Sequence, residues 1–185
     1  MKAYLEQTAL FTNEEIDYFL SLGKPSTLAK GDYFIREGET ANKIAYVTSG
    51  FLRNFYYSSQ SEEVTYCLSF ANDLITAYSS LITQEQSKEN IQALWDCELI
   101  EFSKQDIDQL VEANKSWLLF TKQIAESQYI KLENRIFMLQ KESALTRYKE
   151  LLSKHAEYLQ KIPLGYLASY LGISQRHLSR LRKQI

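Results

Sequence analysis

The chain has 185 residues, 45% of them apolar, with 21 Lys/Arg against 23 Asp/Glu and a net charge of −2. That is enough for one ordinary domain and a small second one, whereas no apolar run nears the roughly 18 residues of a membrane span and the N-terminus lacks a signal-peptide core, so a cytoplasmic protein without a membrane partner is expected. Cys67 and Cys97 are too few for a disulfide framework or an iron–sulfur cluster, and His155 and His177 have no further ligands at metal-site spacing, so no metal and no cofactor is assigned.

A short helix is expected over 13–22, capped by Thr12 or Asn13. From about 25 to 103, short runs rich in aromatic and β-branched residues alternate with turn signals. The runs are Tyr33–Ile35, Lys43–Val47, Phe51–Tyr57 and Val64–Leu68; the turns include Lys30-Gly31-Asp32, Glu37-Gly38-Glu39 and Ser49-Gly50. Such spacing predicts a β-roll or small barrel. Asn90 to Phe102 reads as two closing strands around a turn at 95–98, with Cys67 and Cys97 as small buried strand residues. Asp73 to Glu89 is a polar connection long enough for a short helix or a function of its own.

After Ser103 the pattern is helical: Lys104–Ala113, then Trp117–Gln140, then Ser143–Tyr158. The long second helix carries a heptad seam of Leu118, Ala125, Tyr129, Leu132, Ile136 and Leu139. Trp117, Phe120, Ile124, Ile130 and Phe137 add apolar surface outside the seam, so this helix can pack on its own roll and on a second subunit at once. A homodimer through the seam is expected.

The last two dozen residues read as a helix-turn-helix. Ala168 is small where two helices approach, Gly172 sits at the turn where positive φ is needed, and Ser174 is placed to cap the second helix. Leu167, Leu171, Ile173, Leu178 and Leu181 close a small core. Residues 143–185 hold eight Lys/Arg and two Asp/Glu, the rest thirteen and twenty-one. A basic end on an acidic body suits double-stranded DNA as partner.

A roll, a long helix and a helix-turn-helix in this order resemble the Crp/Fnr family of bacterial transcription regulators, in particular short members of the Bacteroidetes type. The resemblance rests on Gly31-Asp32, Arg36-Glu37-Gly38-Glu39, Tyr46–Gly50, Ala144–Tyr148 and Leu167–Ser174 with Leu178-Ser179-Arg180. It implies an α+β protein: a cyclic-nucleotide-binding-like β-roll over 1–113, a dimerisation helix over 114–140 and a helix-turn-helix domain over 141–185. It further implies a homodimer on a palindromic operator, with RNA polymerase and an effector of unknown identity as further partners. Gln175, Arg176, Ser179 and Arg180 fall where the family reads bases, and Ser169, Ser174, His177, Arg182 and Lys183 where phosphates are held. The sequence ends at Ile185, so the family's terminal wing hairpin is expected to be missing.

The effector pocket departs from the family. Members that bind cyclic AMP carry Gly-Glu and Arg-Ser/Thr-Ala; here those places read Asn72-Asp73 and Ser87-Lys88-Glu89, with Leu132 and Glu133 facing them from the long helix. A buried phosphate needs positive charge, so cyclic AMP is not expected as effector. A rival reading is a small-ligand sensor whose C-terminal helices contact protein, although a face of Gln175, Arg176, Arg180 and Lys183 is unlike a protein-interface core. No Cys–His or Ser–His–Asp arrangement is readable, and no catalytic residue is assigned.

Overall fold

The computed structural model describes residues 1–183; Gln184 and Ile185, on which the expected missing wing turns, lie outside them. Helices α1 (Lys2–Gln7) and α2 (Asn13–Leu22) precede the strands β1 (Lys24–Leu28), β2 (Tyr33–Ile35), β3 (Lys43–Ser49), β4 (Phe51–Tyr57), β5 (Glu63–Phe70) and β6 (Leu74–Ile75). Helix α3 (Tyr78–Thr83) lies in the polar connection, and β7 (Asn90–Ala93) and β8 (Cys97–Ser103) close the roll. Then follow α4 (Lys104–Ala113), α5 (Lys115–Lys141), α6 (Ala144–Leu159), α7 (Leu164–Leu171) and α8 (Gln175–Arg182).

Two antiparallel four-stranded sheets, ordered β1-β8-β3-β6 and β2-β7-β4-β5, form the roll. Their facing side chains, among them Ala45, Val47, Leu52, Ile91, Ala93 and Leu99, make its core. The alternation of β4 divides its labour. Leu52 and Asn54 look inward, while Phe51 packs outward with Phe70, Leu151, Leu167 and Leu178 in a cluster shared with the C-terminal helices. A third cluster joins α1 and α2 to Phe102 and to Trp117 and Phe120 of α5.

Helix starts follow local chemistry. Thr12 and Glu15 form a reciprocal capping box at α2. Ser103, Asn114, Ser143 and Ser174 each accept a backbone N–H at the starts of α4, α5, α6 and α8. At Gly50 φ is +88°, and a Cβ would stand 2.5 Å from the Asp96 carbonyl oxygen, so the β3–β4 turn demands glycine.

Several elements differ from expectation. α1 is too short for a periodic signal; Leu5, fully buried, fixes it by tertiary contact. The β7–β8 turn is Leu94–Asp96, because Cys97 and Glu98 already pair with β1. α6 is broken at His155, which has non-helical backbone angles and stacks on Phe70 at 3.9 Å.

Candidate nucleic-acid interface

Leu167, Ala168 and Leu171 of α7 and Leu178 and Leu181 of α8 are buried. Between the helices, Gly172 takes φ +66°, its N–H bonds the Ser169 carbonyl at 3.0 Å, and the Ile173 N–H bonds that of Ala168 at 3.0 Å. A Cβ at Gly172 would meet a Leu139 methyl at 3.2 Å, so the end of α5 rests on the turn. Ser174 accepts the His177 N–H at 3.2 Å and starts α8.

With about 100° between successive residues of an α-helix, Arg176, Ser179, Arg180 and Lys183 share one side of α8, opposite Leu178 and Leu181. All four are exposed, and none forms an ion pair among the described residues. Gln175 lies at the edge, its amide nitrogen 3.1 Å from where a Gly165 Cβ would be. The expected base-reading set is thus brought together on one open face, 8 residues long and of the width a major groove admits.

The expected phosphate set divides. His177 is half-buried on α8, Lys183 is exposed just past its end, and Ser174 spends its hydroxyl as a cap. Arg182 donates to the Leu159 carbonyl at 3.2 Å and so leans back toward α6. Ser169, expected as a phosphate ligand, faces the roll: its hydroxyl accepts the Thr65 N–H at 2.9 Å and donates to the Glu63 carbonyl at 3.4 Å. The reason is that β5 is a sheet edge whose free backbone groups need partners.

The expected effector residues also divide. Asn72, at φ +75°, turns the chain into β6 and accepts from the Tyr46 hydroxyl at 2.6 Å. Asp73 accepts the Phe70 N–H at 2.9 Å and stands 3.9 Å from Lys131. Ser87 and Glu89 sit at the head of β7, where the Ser87 hydroxyl is bonded to the Glu89 backbone at 2.8 and 3.1 Å. Lys88 between them is exposed. No hydrogen bond or ion pair joins the two groups among the described residues. On α5 it is Lys131 that reaches toward Asp73, whereas Leu132 is 55% exposed, and neither Leu132 nor Glu133 forms a hydrogen bond or ion pair with Asn72, Asp73, Ser87, Lys88 or Glu89 among the described residues.

Glu89 enters the roll interior and takes hydrogen bonds from the Tyr66 hydroxyl and from Asn54 Nδ2, the latter at 2.9 Å. Burial raises its carboxyl above the usual carboxylate range, although those two hydrogen bonds pull the other way. The Tyr66 phenol is raised too, by burial and then by Glu89. Asn54 is buried and its Oδ1 has no partner. Glu89 takes up the donors of Tyr66 and Asn54, Asn54 Oδ1 is itself an acceptor, and none of the three carries positive charge, so they do not fit a cyclic phosphate. Burial pushes both thiols, Cys67 and Cys97, up to about 11, which leaves them protonated near neutral pH.

Sequence reasoning missed Arg53, 1% exposed on the outer face of β4, and the arginines that bind the long helix to the turn. Arg135 donates to the Tyr170 carbonyl, and Arg147 donates to those of Leu171 and Glu142 at 2.9 and 2.5 Å. An arginine inside the apolar run Phe51–Tyr57 was the available signal for the first, since such residues are rarely buried without partners.

Comparison with known proteins agrees with this architecture. Residues 25–114 match the model of the cyclic nucleotide-binding domain. No curated protein matches the sequence. The fold is that of FixK2 from Bradyrhizobium japonicum, at TM-score 0.77 and 14% identity over 88% of this chain and 83% of that one. A protein of Eubacterium rectale described as a transcriptional regulator of the Crp/Fnr family aligns at TM-score 0.74 and 16% identity, over 94% and 83%. The Thermus thermophilus catabolite activator protein aligns at TM-score 0.60 and 21% identity, over 94% and 83%. The Crp/Fnr resemblance is borne out in fold, and among the described residues no helix is long and apolar enough to cross a membrane.

Proposed function

We propose that this Crp/Fnr-type chain is a sequence-specific DNA-binding transcription regulator. It acts in the cytoplasm as a homodimer on a palindromic operator and does not answer to cyclic AMP. The carrying observation is the open face of Arg176, Ser179, Arg180 and Lys183 on α8. Arginine pairs bidentately with guanine O6 and N7, and the cap at Ser174 sets the start of the helix that carries it. Half-sites in a dimer of this kind lie about one helical turn apart, roughly 34 Å. The exposed seam of α5 supports self-association, and the acidic roll interior around Glu89 argues against an anionic nucleotide. The 1–113, 114–140 and 141–185 division then corresponds to roll, dimer helix and DNA reader, with RNA polymerase as the partner that regulation requires.

Selection of bound sites from random DNA, followed by titration of the selected operator, tests this. Arg176→Ala or Arg180→Ala costs about 1–3 kcal/mol on the operator and less on random DNA. Lys183→Ala weakens all sequences alike and reduces the salt dependence. Equal losses on operator and random DNA for both arginine variants overturn the base-reading assignment. A wild-type protein that DNA does not retain at low salt overturns the function in favour of a protein-contact hairpin. Calorimetry with cyclic AMP shows no binding; micromolar binding abolished by Lys88→Ala would refute the effector reading.

A further inference from the structure

Helix α7 is attached to the roll as well as to the long helix. Arg53 projects from the outer face of β4 with its guanidinium stacked between two rings, Phe55 of its own strand at 3.9 Å and Tyr166 of α7 at 3.5 Å. Around the guanidinium edge, Gln92 Oε1 accepts from Nε and Nη2 at 3.1 and 2.8 Å, and Glu63 accepts from Nη2 at 2.6 Å. The roll therefore fixes the plane of the guanidinium, and the Tyr166 ring sits over it. One helical turn later, Ser169 takes the place of a neighbouring strand at the β5 edge by bonding Thr65 N–H and the Glu63 carbonyl.

We infer that Arg53 is a positioning residue for DNA recognition: by clamping Tyr166 to the roll it sets how far apart, and at what angle, the two α8 helices of a dimer are held. This rests on the proposed DNA-binding function. The arginines Arg135 and Arg147 tie the turn after α7 to the long helix, whereas Arg53 and Ser169 tie the reader by polar contacts to the roll itself. Only Glu142 and Ser143 separate α5 from α6, and α6 itself is broken at His155. Apolar contacts such as Phe51 against Tyr158 hold the surfaces together without fixing their rotation. A stacked guanidinium held by three hydrogen bonds has one orientation. A buried arginine also contributes little net stability compared with an apolar side chain of similar shape, so its value here is geometric. Each base pair added between half-sites separates them by about 3.4 Å and turns them by roughly 35°. A reader clamped to its roll rejects that change, and one free to swivel follows it.

The test uses the full chain, its selected operator, and the same operator with one base pair added or removed at the centre. Arg53→Leu removes the clamp, Arg53→Lys keeps the charge without the stacked fork, and Ser169→Ala loosens the β5 edge without disturbing the core. The wild type discriminates against altered spacing by about tenfold or more per site, as for loss of one good contact. Arg53→Leu and Arg53→Lys remain dimers with wild-type circular dichroism but accept all three spacings within a few-fold; Ser169→Ala falls between. Wild-type discrimination in folded Arg53→Lys and Ser169→Ala overturns the inference and leaves DNA binding standing. A wild type that binds none of the three operators overturns both.

Discussion

Ile136→Glu is the sharpest test of the dimer seam. In the single chain Ile136 is 44% exposed, and along the same seam Leu118 is 52%, Tyr129 67% and Leu132 55% exposed. Full burial of such a side chain is worth about 1.5–3 kcal/mol, so covering the remaining half contributes ~1 kcal/mol per copy and ~2 per dimer. The carboxylate adds the desolvation of two like charges near the two-fold axis, at least another ~2 kcal/mol. A total of about 4 kcal/mol raises the dissociation constant roughly a thousandfold. Because Ile136 is half-exposed in one chain, the monomer should lose little of its own stability, within about 0.5 kcal/mol. Sedimentation equilibrium then gives folded monomers at micromolar concentration where the wild type is dimeric. The companion variant Phe137→Glu lies about 100° round the helix, on the strip of Leu119 and Ile130, and has the smaller effect. A dimer that survives Ile136→Glu and dissolves in Phe137→Glu refutes the seam and places the interface on the other strip.

Gly172→Ala forces an alanine into the left-handed region, costing about 1–2 kcal/mol, with Leu139 pressed besides; thermal melting and operator affinity should both fall. Ser174→Ala removes the α8 cap at about 1 kcal/mol, read as faster hydrogen exchange at the His177 amide that the hydroxyl now holds. Glu89 has a folded-state pKa raised above its unfolded one, so the folded protein holds this proton more tightly and stability falls as pH rises from the ordinary carboxylate range through the raised value. Glu89→Gln should flatten that decline in urea titrations across pH 4–8, and an unchanged slope would contradict the burial argument.

Much of the chain was legible before any coordinates. Helix caps are local: Thr12 and Ser174 act on backbone three residues away, so their meaning survives without a tertiary context. The same holds for Gly172, whose backbone angle depends on its lacking a side chain, and for the period that separates Leu178 and Leu181 from Arg176 and Arg180 on α8. With the short aromatic and β-branched runs before Ser103 and the apolar spacing of the long helix, these sufficed to foresee a roll, a long helix and an open basic face. Contacts distant in sequence were not legible. Ser169 reads as a phosphate ligand until β5, over a hundred residues earlier, supplies an unpaired strand edge. Arg53 looks anomalous until Gln92, Glu63 and Tyr166 surround it. Asn72 and Glu89 belong to one pocket by counting, but the turn at Asn72 and the inward face of β7 give them separate partners. Local spacing records which face of an element is apolar; which partner meets that face depends on how the strands and helices pack, and here that packing decides what surrounds Glu89 and how α7 and α8 are anchored.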